Sequence, residues 1–516
     1  MKSKIISLED SVKIIKSGDV VAVGGFIGSG HAEAITAEVE KSFLECGAPK
    51  DLTLIYAAGQ GDNKDKGLNH FGHKGLVKRV IGGHWALCPK LQKLAVNNEV
   101  QAYNIPQGII SHMYRDIAAG KPGTISKVGL QTFVDPRFDG GKLNESTKED
   151  IVKVINIDDN EYLFYKAIPI DVTILRATYA DEEGNASFDK EVATLDATSM
   201  AQAAKNSGGI VILQVEKIVS RGSLDPRKVK IPGIYVDAIV VAQPEEHMQT
   251  YAEMYNPAYS GEVKFPIDSV KPLPLGERKV IARRAALELK DGSIINLGIG
   301  MPEGISSVAN EEGIGERSTL TVEAGPIGGV PANGLNFGAS LNPVSIIDQA
   351  IQFDFYDGGG LDAAFLGLAQ CDKEGNINVS KFGTKIAGCG GFINITQNSK
   401  KVVFCGTFTT GGLKVEVSDG KLKILNEGKV VKFIDEVEQI TFSGNYAANI
   451  GQDVLYITER AVFRLSKEGL ILEEIAPGVD LDKDILPYMT FKPIISNNLK
   501  LMDERIFREE KMGLSN

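Results

Sequence analysis

The segment Gly18-Asp-Val-Val-Ala-Val-Gly-Gly-Phe-Ile-Gly-Ser-Gly30 decides the fold, because the chain carries a second copy of it. The second copy is Gly292-Ser-Ile-Ile-Asn-Leu-Gly-Ile-Gly-Met-Pro-Glu-Gly304, and three glycines align between the two without a gap. In each copy an apolar, strand-like run leads into glycines and then into a helical pattern. Each copy therefore predicts a strand, a tight turn and a helix.

Two further blocks recur in the same order along the chain. Residues 170–175, 181–185 and 206–212 resemble residues 361–366, 372–376 and 398–404. Two related domains fused in one chain explain this better than chance. We predict an N-terminal domain over 1–265, a Pro-containing linker over 266–278 and a C-terminal domain over 279–516, since proline-rich composition suits a linker.

Each half alternates strand-like runs with helical patterns. The strand-like runs cover residues 20–23, 52–56, 172–175, 210–213, 294–297, 363–366 and 401–404, and the helical patterns include 31–45, 279–289 and 344–353. This alternation is typical of βαβ units. We therefore predict an α/β protein made of two related open domains with mostly parallel sheets. Residues 414–427, with the turn Asp419-Gly420, predict a β-hairpin.

Composition and charge exclude several classes of partner. The chain has 516 residues and a formal net charge of −11, with a pI near 5.3, so nucleic acid and anionic membranes are not expected partners. No apolar run approaches the length of a membrane span, and no signal peptide is recognised. The five cysteines have no metal-type spacing and predict free thiols in a reducing compartment. We expect a cytoplasmic protein.

One carboxylate is placed where a ligand would arrive. In Ser318-Thr-Leu-Thr-Val-Glu323-Ala-Gly-Pro-Ile-Gly-Gly-Val330, a strand-like run ends at Glu323 and a glycine-rich turn follows. Ligands of open α/β sheets bind just past the carboxyl ends of strands. No neighbouring residue in the sequence offers a salt-bridge partner. From the residues alone, Glu323 can be a nucleophile, a general base or a hydrogen-bond acceptor.

The same residues imitate a dinucleotide-binding fingerprint. Gly298 and Gly300 follow a strand and precede a helix, and Glu323 would then hold a ribose hydroxyl. Against this, Pro302 follows the glycines closely, and the first copy has Tyr56-Ala-Ala-Gly59 where an acid is needed. An NAD(P)-dependent oxidoreductase and a non-catalytic ligand sensor on the same scaffold remain the alternatives.

Histidine is confined to the first half. The six histidines are His31, His70, His73, His84, His112 and His247. His70 and His73 favour a polar turn over a metal site, and no metal is expected. General-base chemistry in the second half must then use carboxylates, or none is needed. Cys389 has no histidine in its own half to activate it. We interpret Gly388, Gly390 and Gly391 as backbone that approaches a ligand and aims N–H groups at an oxyanion, with a packing turn as the alternative.

The quoted motifs resemble those of the class I coenzyme A transferases. Residues 23–30 are similar to the glycine motif of the family's first domain, and residues 296–302 to the signature of its second domain. Glu323 falls on the catalytic glutamate of the Glu-x-Gly motif. The long block Ile386-Ala-Gly-Cys-Gly-Gly-Phe-Ile-Asn-Ile-Thr-Gln397 resembles the propionate (acetate) CoA-transferase branch most closely.

The resemblance implies roles for further residues. Gln107, in Pro106-Gln-Gly108, falls on a loop that reaches the acyl site, and Gly388 on the loop associated with the oxyanion. Ketoacid-using members carry an asparagine donor where this chain has Ala57-Ala-Gly-Gln60, so Gln60 is a candidate substitute. The implied coenzyme A-binding residues are Gly298, Gly300, Gly388, Gly390 and Gly391.

The resemblance also implies an activity. Coenzyme A would move between short-chain acyl-CoA thioesters and free acids such as acetate, propionate, butyrate and lactate. The mechanism would be ping-pong, through a glutamyl-CoA thioester on Glu323. Coenzyme A would be a substrate and covalent intermediate, with no tightly bound cofactor. The expected assembly is a homo-oligomer, either a dimer or a tetramer.

Overall fold

A computed structural model describes residues 3–266 and 272–515. The chain divides into two compact units. The first unit contains Met1–Phe265 and two later segments, Val322–Asp354 and Phe382–Asn394. The second unit contains Pro266–Thr321, Phe355–Lys381 and Ile395–Asn516.

The compact units are not simply the two halves of the chain. Two segments of the second half, one of them carrying Glu323, belong to the first unit. The boundaries 1–265, 266–278 and 279–516 therefore remain a prediction about the sequence repeat. Residues 267–271, in the middle of the predicted linker, lie outside the described residues.

The first unit is built on a mainly parallel sheet. Its parallel strands follow the order Ala238–Val241, Ile210–Val219, Val172–Asp181, Val20–Val23, Leu52–Tyr56, Val77–Gly82 and Gln101–Asn104. Two short strands, Ala186–Ser187 and Val229–Ile231, add antiparallel pairing beyond Val172–Asp181. Every residue of Leu52–Tyr56 is buried, as expected for a parallel strand covered on both faces.

The helices of the first half, in chain order, are Leu8–Lys13, Glu33–Cys46, Pro89–Val96, Gln107–Ala118 and Ala197–Asn206. The first begins where the Ser7 side chain accepts a hydrogen bond from the Asp10 amide at 3.1 Å, a typical N-cap. The second ends at Gly47 with φ 69°, in the left-handed conformation that glycine favours. A separate antiparallel sheet pairs Gly123–Ser126 and Val152–Ile157 with Asn160–Lys166.

The two later segments of the first unit add short strands. Pro326–Ile327 pairs with Ser345–Ile346, and Val330–Pro331 pairs with Ser340–Leu341, both antiparallel. The helix predicted over 344–353 instead spans Gln349–Asp357. It starts later because Ser345 and Ile346 are engaged in their strand pairing. The helix Phe392–Gln397 follows the glycines 388–391.

The second unit is built on a sheet with the order Thr319–Thr321, Ile294–Leu297, Ala363–Gly367, Lys401–Cys405, Asp453–Ile457, Ala461–Ser466, Gly469–Ile475 and Ile494–Leu501. Strands from Thr319–Thr321 to Asp453–Ile457 are parallel. The next two pairings are antiparallel and the last is parallel. Its helices are Glu277–Ala286, Glu303–Glu311 and Gly444–Ile450. The predicted hairpin forms from Lys414–Ser418 and Lys421–Asn426.

The two sheets share a topology that reflects the repeat. Val20–Val23 in the first unit and Ile294–Leu297 in the second, which are the two copies of the opening segment, each lie between two parallel neighbours. On one side of each lies the next strand of its copy, Leu52–Tyr56 or Thr319–Thr321. On the other side lies the strand of the second repeated block. The α/β prediction with mostly parallel sheets is confirmed. No helix in the described ranges has the length and apolar character needed to cross a membrane.

Candidate active site

Glu323 lies in a tight bend that begins just after the strand Thr319–Thr321. The amide of Gly325 donates to the carbonyl oxygen of Val322 at 3.0 Å, and the amide of Val322 donates to that of Pro326 at 2.9 Å. Only 8% of Glu323 is exposed. The bend therefore fixes a nearly buried carboxylate at the position that the sequence predicted, past a strand end.

The two neighbours of Glu323 anchor it to the first copy of the glycine motif. Val322 and Ala324 are buried in a hydrophobic cluster with Phe26, Ile27 and Ala58. Phe26 and Ile27 belong to the first glycine motif, and Ala58 to the loop after Leu52–Tyr56. Residues nearly three hundred positions apart in the sequence thus hold the backbone on either side of the carboxylate.

The glycines behind Glu323 are required by close packing. Gly325 has φ +128°, and a Cβ there would overlap the carbonyl oxygen of Ile347. Gly329 has φ +71°, and a Cβ there would overlap that of Leu341. Both positions combine a backbone conformation that disfavours side chains with a lack of space. Within this glycine-rich segment, Pro326–Ile327 forms a short strand that pairs with Ser345–Ile346.

The loop of glycines 388–391 packs against two strand-end loops of the same unit. The Gly390 amide donates to the carbonyl oxygen of Gly83 at 2.7 Å, and the Cys389 amide donates to the Asn104 side chain at 2.9 Å. Of the three glycine amides that were expected to face an oxyanion, that of Gly390 is therefore engaged with protein. In the described part of the chain, the amides of Gly388 and Gly391 donate to no protein acceptor, so they remain candidates for ligand contact.

Gln107 meets this loop directly. Its backbone amide donates to the carbonyl oxygen of Gly390 at 2.9 Å. Its side-chain amide donates to Gln349 Oε1 at 3.1 Å, and Gln349 Nε2 in turn donates to Asp196 Oδ2 at 2.7 Å. Burial raises the pKa of Asp196 to about 7. The structure thus brings Gln107 into direct contact with the loop that contains Gly390.

Gln60 occupies a different environment from the one predicted. It is fully buried. Its Oε1 lies 2.7 Å from His31 Nδ1, and its Nε2 donates to the carbonyl oxygen of Val23 at 2.9 Å. These bonds tie the first glycine motif to its neighbouring loop. They favour a structural role for Gln60 over that of a substrate-facing donor.

Gly298 and Gly300 lie in the second unit, whereas the other predicted site residues lie in the first. The Gly298 amide donates to the carbonyl oxygen of Phe365 at 2.8 Å, and a Cβ at Gly298 would lie 3.1 Å from the Leu366 side chain. Gly300 has φ +89° and open space around it, and its carbonyl oxygen accepts from Arg278 at 2.8 Å. Gly298 is thus closely packed, and Gly300 supplies the positive φ of the turn.

His84 was not predicted as a site residue, because histidines were considered only for the half of the chain in which they occur. In the structure His84 lies in the first unit beside the glycine loop, with its Cα 3.0 Å from the position of a Cβ on Gly388. Burial lowers its pKa to about 4. The sequence does contain a signal for His84, because this residue follows the end of the parallel strand Val77–Gly82, just as Glu323 follows the strand Thr319–Thr321.

The structure also defines the surroundings of the Cys389 thiol and the His70 imidazole. Burial raises the pKa of the Cys389 thiol well above its usual range, which disfavours a nucleophilic thiolate. His70 forms ion pairs with Glu33 and Glu40, and these carboxylates raise its pKa against the opposing effect of burial. Within residues 3–266 and 272–515, no cluster of three or more His, Cys, Asp or Glu is arranged to hold a metal ion.

Comparison with known proteins identifies the family. The family model described as Coenzyme A transferase matches residues 5–242 and 278–483. The acetate CoA-transferase YdiF of Escherichia coli K12 is 48% identical over 512 residues, covering 99% of this chain and 96% of the relative. A caffeate CoA-transferase of Acetobacterium woodii is 47% identical over 518 residues, covering 99% of each chain.

Solved structures agree with these relatives. The apoenzyme of the acyl-CoA transferase YdiF from Escherichia coli O157:H7 superimposes with a TM-score of 0.95 at 47% identity, covering 99% of this chain and 97% of that one. The same transferase has also been solved as a thioester complex with CoA, with a TM-score of 0.94.

The chain belongs to the coenzyme A transferase family. Within it, the chain is a class I enzyme of the acetate/propionate type, as its motifs indicated. This assignment decides against the NAD(P)-dependent oxidoreductase and the non-catalytic sensor.

Proposed function

We propose that Glu323 is the nucleophile of the transferase and carries coenzyme A as a glutamyl thioester. The observation that supports this most is a nearly buried carboxylate in a rigid glycine bend just past a strand end. A transferase 47% identical to this chain has been solved as a thioester complex with CoA, which is consistent with a covalent intermediate.

The reaction proceeds by exchange of bonds of similar energy. The Glu323 carboxylate attacks the acyl carbon of an acyl-CoA, and a mixed anhydride forms as the coenzyme A thiolate departs. The thiolate then attacks the glutamyl carbonyl, which forms the enzyme thioester and releases the first acid. An acceptor carboxylate reverses these steps and leaves as the new acyl-CoA. No proton is transferred in the main steps. Water must be excluded, because it would hydrolyse the anhydride.

Negative charge develops on carbonyl oxygens during each attack and needs oriented donors. We assign the acyl site to Gln107 and to the loop of Gly388, Gly390 and Gly391, whose contacts with one another support the assignment. Within the loop, the amides of Gly388 and Gly391 are the donors that protein acceptors leave available. Gly298 and Gly300, in the second unit, are proposed as further coenzyme A contacts.

The proposed substrates are short monocarboxylates such as acetate, propionate, butyrate and lactate. The two relatives are named for acetate and caffeate, and both are monocarboxylates. Arg176, which lines a small cavity with Gly24 and Gly25, forms a buried ion pair with Glu191 at 3.0 Å. Its charge is therefore balanced, and it does not offer a site for the second carboxylate of succinate. Competition between propionate and succinate as acceptors tests this, and preference for succinate would contradict it.

A covalent-labelling experiment tests the central proposal. The protein is mixed with an acyl-CoA and no acceptor, and intact mass should increase by one coenzyme A. After borohydride reduction and trypsin digestion, the modification should lie on residues 318–373, in which Glu323 is the single glutamate. Glu323→Gln should abolish the adduct, whereas the matched control Glu316→Gln, at an exposed position, should retain it. Labelling of another peptide, such as the one containing Cys389, would refute the assignment.

The assembly and location are also proposals. We infer a cytoplasmic homo-oligomer, either a dimer or a tetramer. Light scattering coupled to size-exclusion chromatography measures the assembly, and a monomeric mass would contradict it.

A further inference from the structure

His84 is a titratable group at the proposed acyl site that the mechanism above does not use. It directly follows Gly82 and Gly83, at the carboxyl end of the parallel strand Val77–Gly82. Its side chain is half-buried. The carbonyl oxygen of Gly83, the residue before it, accepts the Gly390 amide at 2.7 Å, so the His84 backbone is held against the loop of glycines 388–391.

Two separate loops pass close to His84, and Gly59 in one of them makes room for the imidazole. A Cβ on Gly59 would overlap His84 Nδ1, and a Cβ on Gly390 would lie 3.6 Å from His84 Cδ2. A Cβ on Gly388 would lie 3.0 Å from His84 Cα. Gly59 follows Ala58, which packs in the cluster that holds Val322 and Ala324 beside Glu323. The ring therefore lies between the loop next to the nucleophile and the loop proposed for the acyl group.

His84 differs in its surroundings from His31 and His70, two other imidazoles of the first unit. His31 has both ring nitrogens in hydrogen bonds, to Gln60 at 2.7 Å and to Thr36 at 2.9 Å. His70 bonds to Glu33 and Glu40. Among the residues that the structure describes, His84 has neither a hydrogen bond nor an ion pair. The residue is partly exposed and its ring nitrogens are not sealed off from solvent, so they are available to a bound ligand.

We propose that His84 donates a hydrogen bond from its neutral imidazole to the carbonyl oxygen of the acyl group under attack, as a further catalytic residue of the transferase. This inference rests on the proposed function, in which Glu323 attacks an acyl carbon beside the loop 388–391. The imidazole keeps its proton throughout, so no bond to hydrogen is made or broken. It stabilises the negative charge that develops on the oxygen.

A neutral donor suits this reaction better than a charged one. The departing coenzyme A thiolate must remain unprotonated in order to attack the glutamyl carbonyl in the next step. An imidazolium nearby would be acidic enough to protonate it, because an ordinary thiol has a higher pKa than imidazole. Burial lowers the pKa of His84 to about 4, which removes the imidazolium at neutral pH.

Single-turnover formation of the coenzyme A adduct on residues 318–373 tests the proposal. The variants are His84→Leu, which has no donor, and His84→Gln, which restores an N–H group. His73→Leu is the matched control, because His73 pairs with Glu40 away from the glycine loop. Losing one donor to a developing oxyanion lowers a rate by about 100- to 1,000-fold. We expect a loss of this size in the rate of adduct formation by His84→Leu and, in steady-state assays, in its kcat, with little change in KM. The kcat of His84→Gln should recover to within about tenfold of wild type.

The outcomes separate this inference from the proposed function. If wild-type protein forms no adduct on residues 318–373, the proposed function itself is refuted. If wild type forms the adduct and a folded His84→Leu forms it at the same rate, the role of His84 is refuted. If His84→Leu does not fold, the test rests on His84→Gln. If that variant folds but forms the adduct as slowly as Glu323→Gln does, the role of His84 as a hydrogen-bond donor is overturned. Wild-type kcat should be constant from pH 6 to 9. A decline in kcat centred near pH 6.5, the ordinary pKa of imidazole, would also contradict a neutral donor.

Discussion

Gly325→Ala is the most direct test of how the fold positions Glu323. An alanine at φ +128° adopts a conformation that L-residues rarely occupy, which costs about 1–3 kcal/mol. Its Cβ would also overlap the carbonyl oxygen of Ile347. That backbone has little freedom to retreat, because the Ile347 amide donates to the carbonyl oxygen of Gly325 at 3.1 Å. Breaking this bond adds about 1 kcal/mol, so we expect a total of roughly 3 kcal/mol.

The functional effect should exceed the effect on stability. Relief of the overlap must shift the bend by roughly 1 Å, and a displacement of that size in a reacting group can lower a rate by about 100-fold. Gly334→Ala is the matched control, since Gly334 also has positive φ, +59°, but open space around it. It should cost only about 1 kcal/mol and leave adduct formation unchanged.

Calorimetry and single-turnover mass spectrometry measure the two effects. We expect Tm to fall by roughly 5 °C or more for Gly325→Ala, by clearly less for Gly334→Ala, and the adduct rate to fall for Gly325→Ala alone. Equal Tm values and equal rates for the two variants would refute the view that the glycine bend is rigid and places the carboxylate.

Three further predictions concern titratable groups. Burial raises the pKa of Asp196 to about 7. Between about pH 4 and about pH 7 the native state therefore retains a proton that the unfolded state has lost, and the free energy of unfolding should fall as pH rises through this range. Asp196→Asn should remove this part of the pH dependence of Tm, and an unchanged pH profile would contradict the assignment. The pKa of His70 is raised by Glu33 and Glu40, so the stabilisation by its ion pairs is present at low pH and is lost as pH rises through that pKa. His70→Gln should therefore lower Tm more at pH 6 than at pH 9. The opposite order would count against the ion pairs. Cys46 is the exposed thiol among the free cysteines, so iodoacetamide should modify it first in native protein, as peptide mapping would show.

The local features of the fold were readable from the sequence. The strands Val20–Val23, Leu52–Tyr56 and Ile294–Leu297 have the predicted bounds, because β-branched and apolar runs between glycines specify a strand through neighbouring residues alone. The repeat predicted two related parallel sheets for the same reason. Glu323 could be predicted as a site residue because the end of a strand and the glycines after it are also local signals.

Other features depended on contacts between distant parts of the chain. The grouping of segments 322–354 and 382–394 with the first unit could not be read from periodicity, since a repeat pattern carries no information on which copy a loop packs against. The same limit hid His84, which lies beside residues about three hundred positions later, and it made Gln60 look available although its amide bonds to His31 and Val23. Local chemistry therefore predicted the strands and the turns, and it singled out the carboxylate that we propose as the nucleophile. The tertiary structure decided which polar groups are engaged with protein and which remain for a substrate, because burial and hydrogen bonding are set by residues that only folding brings together.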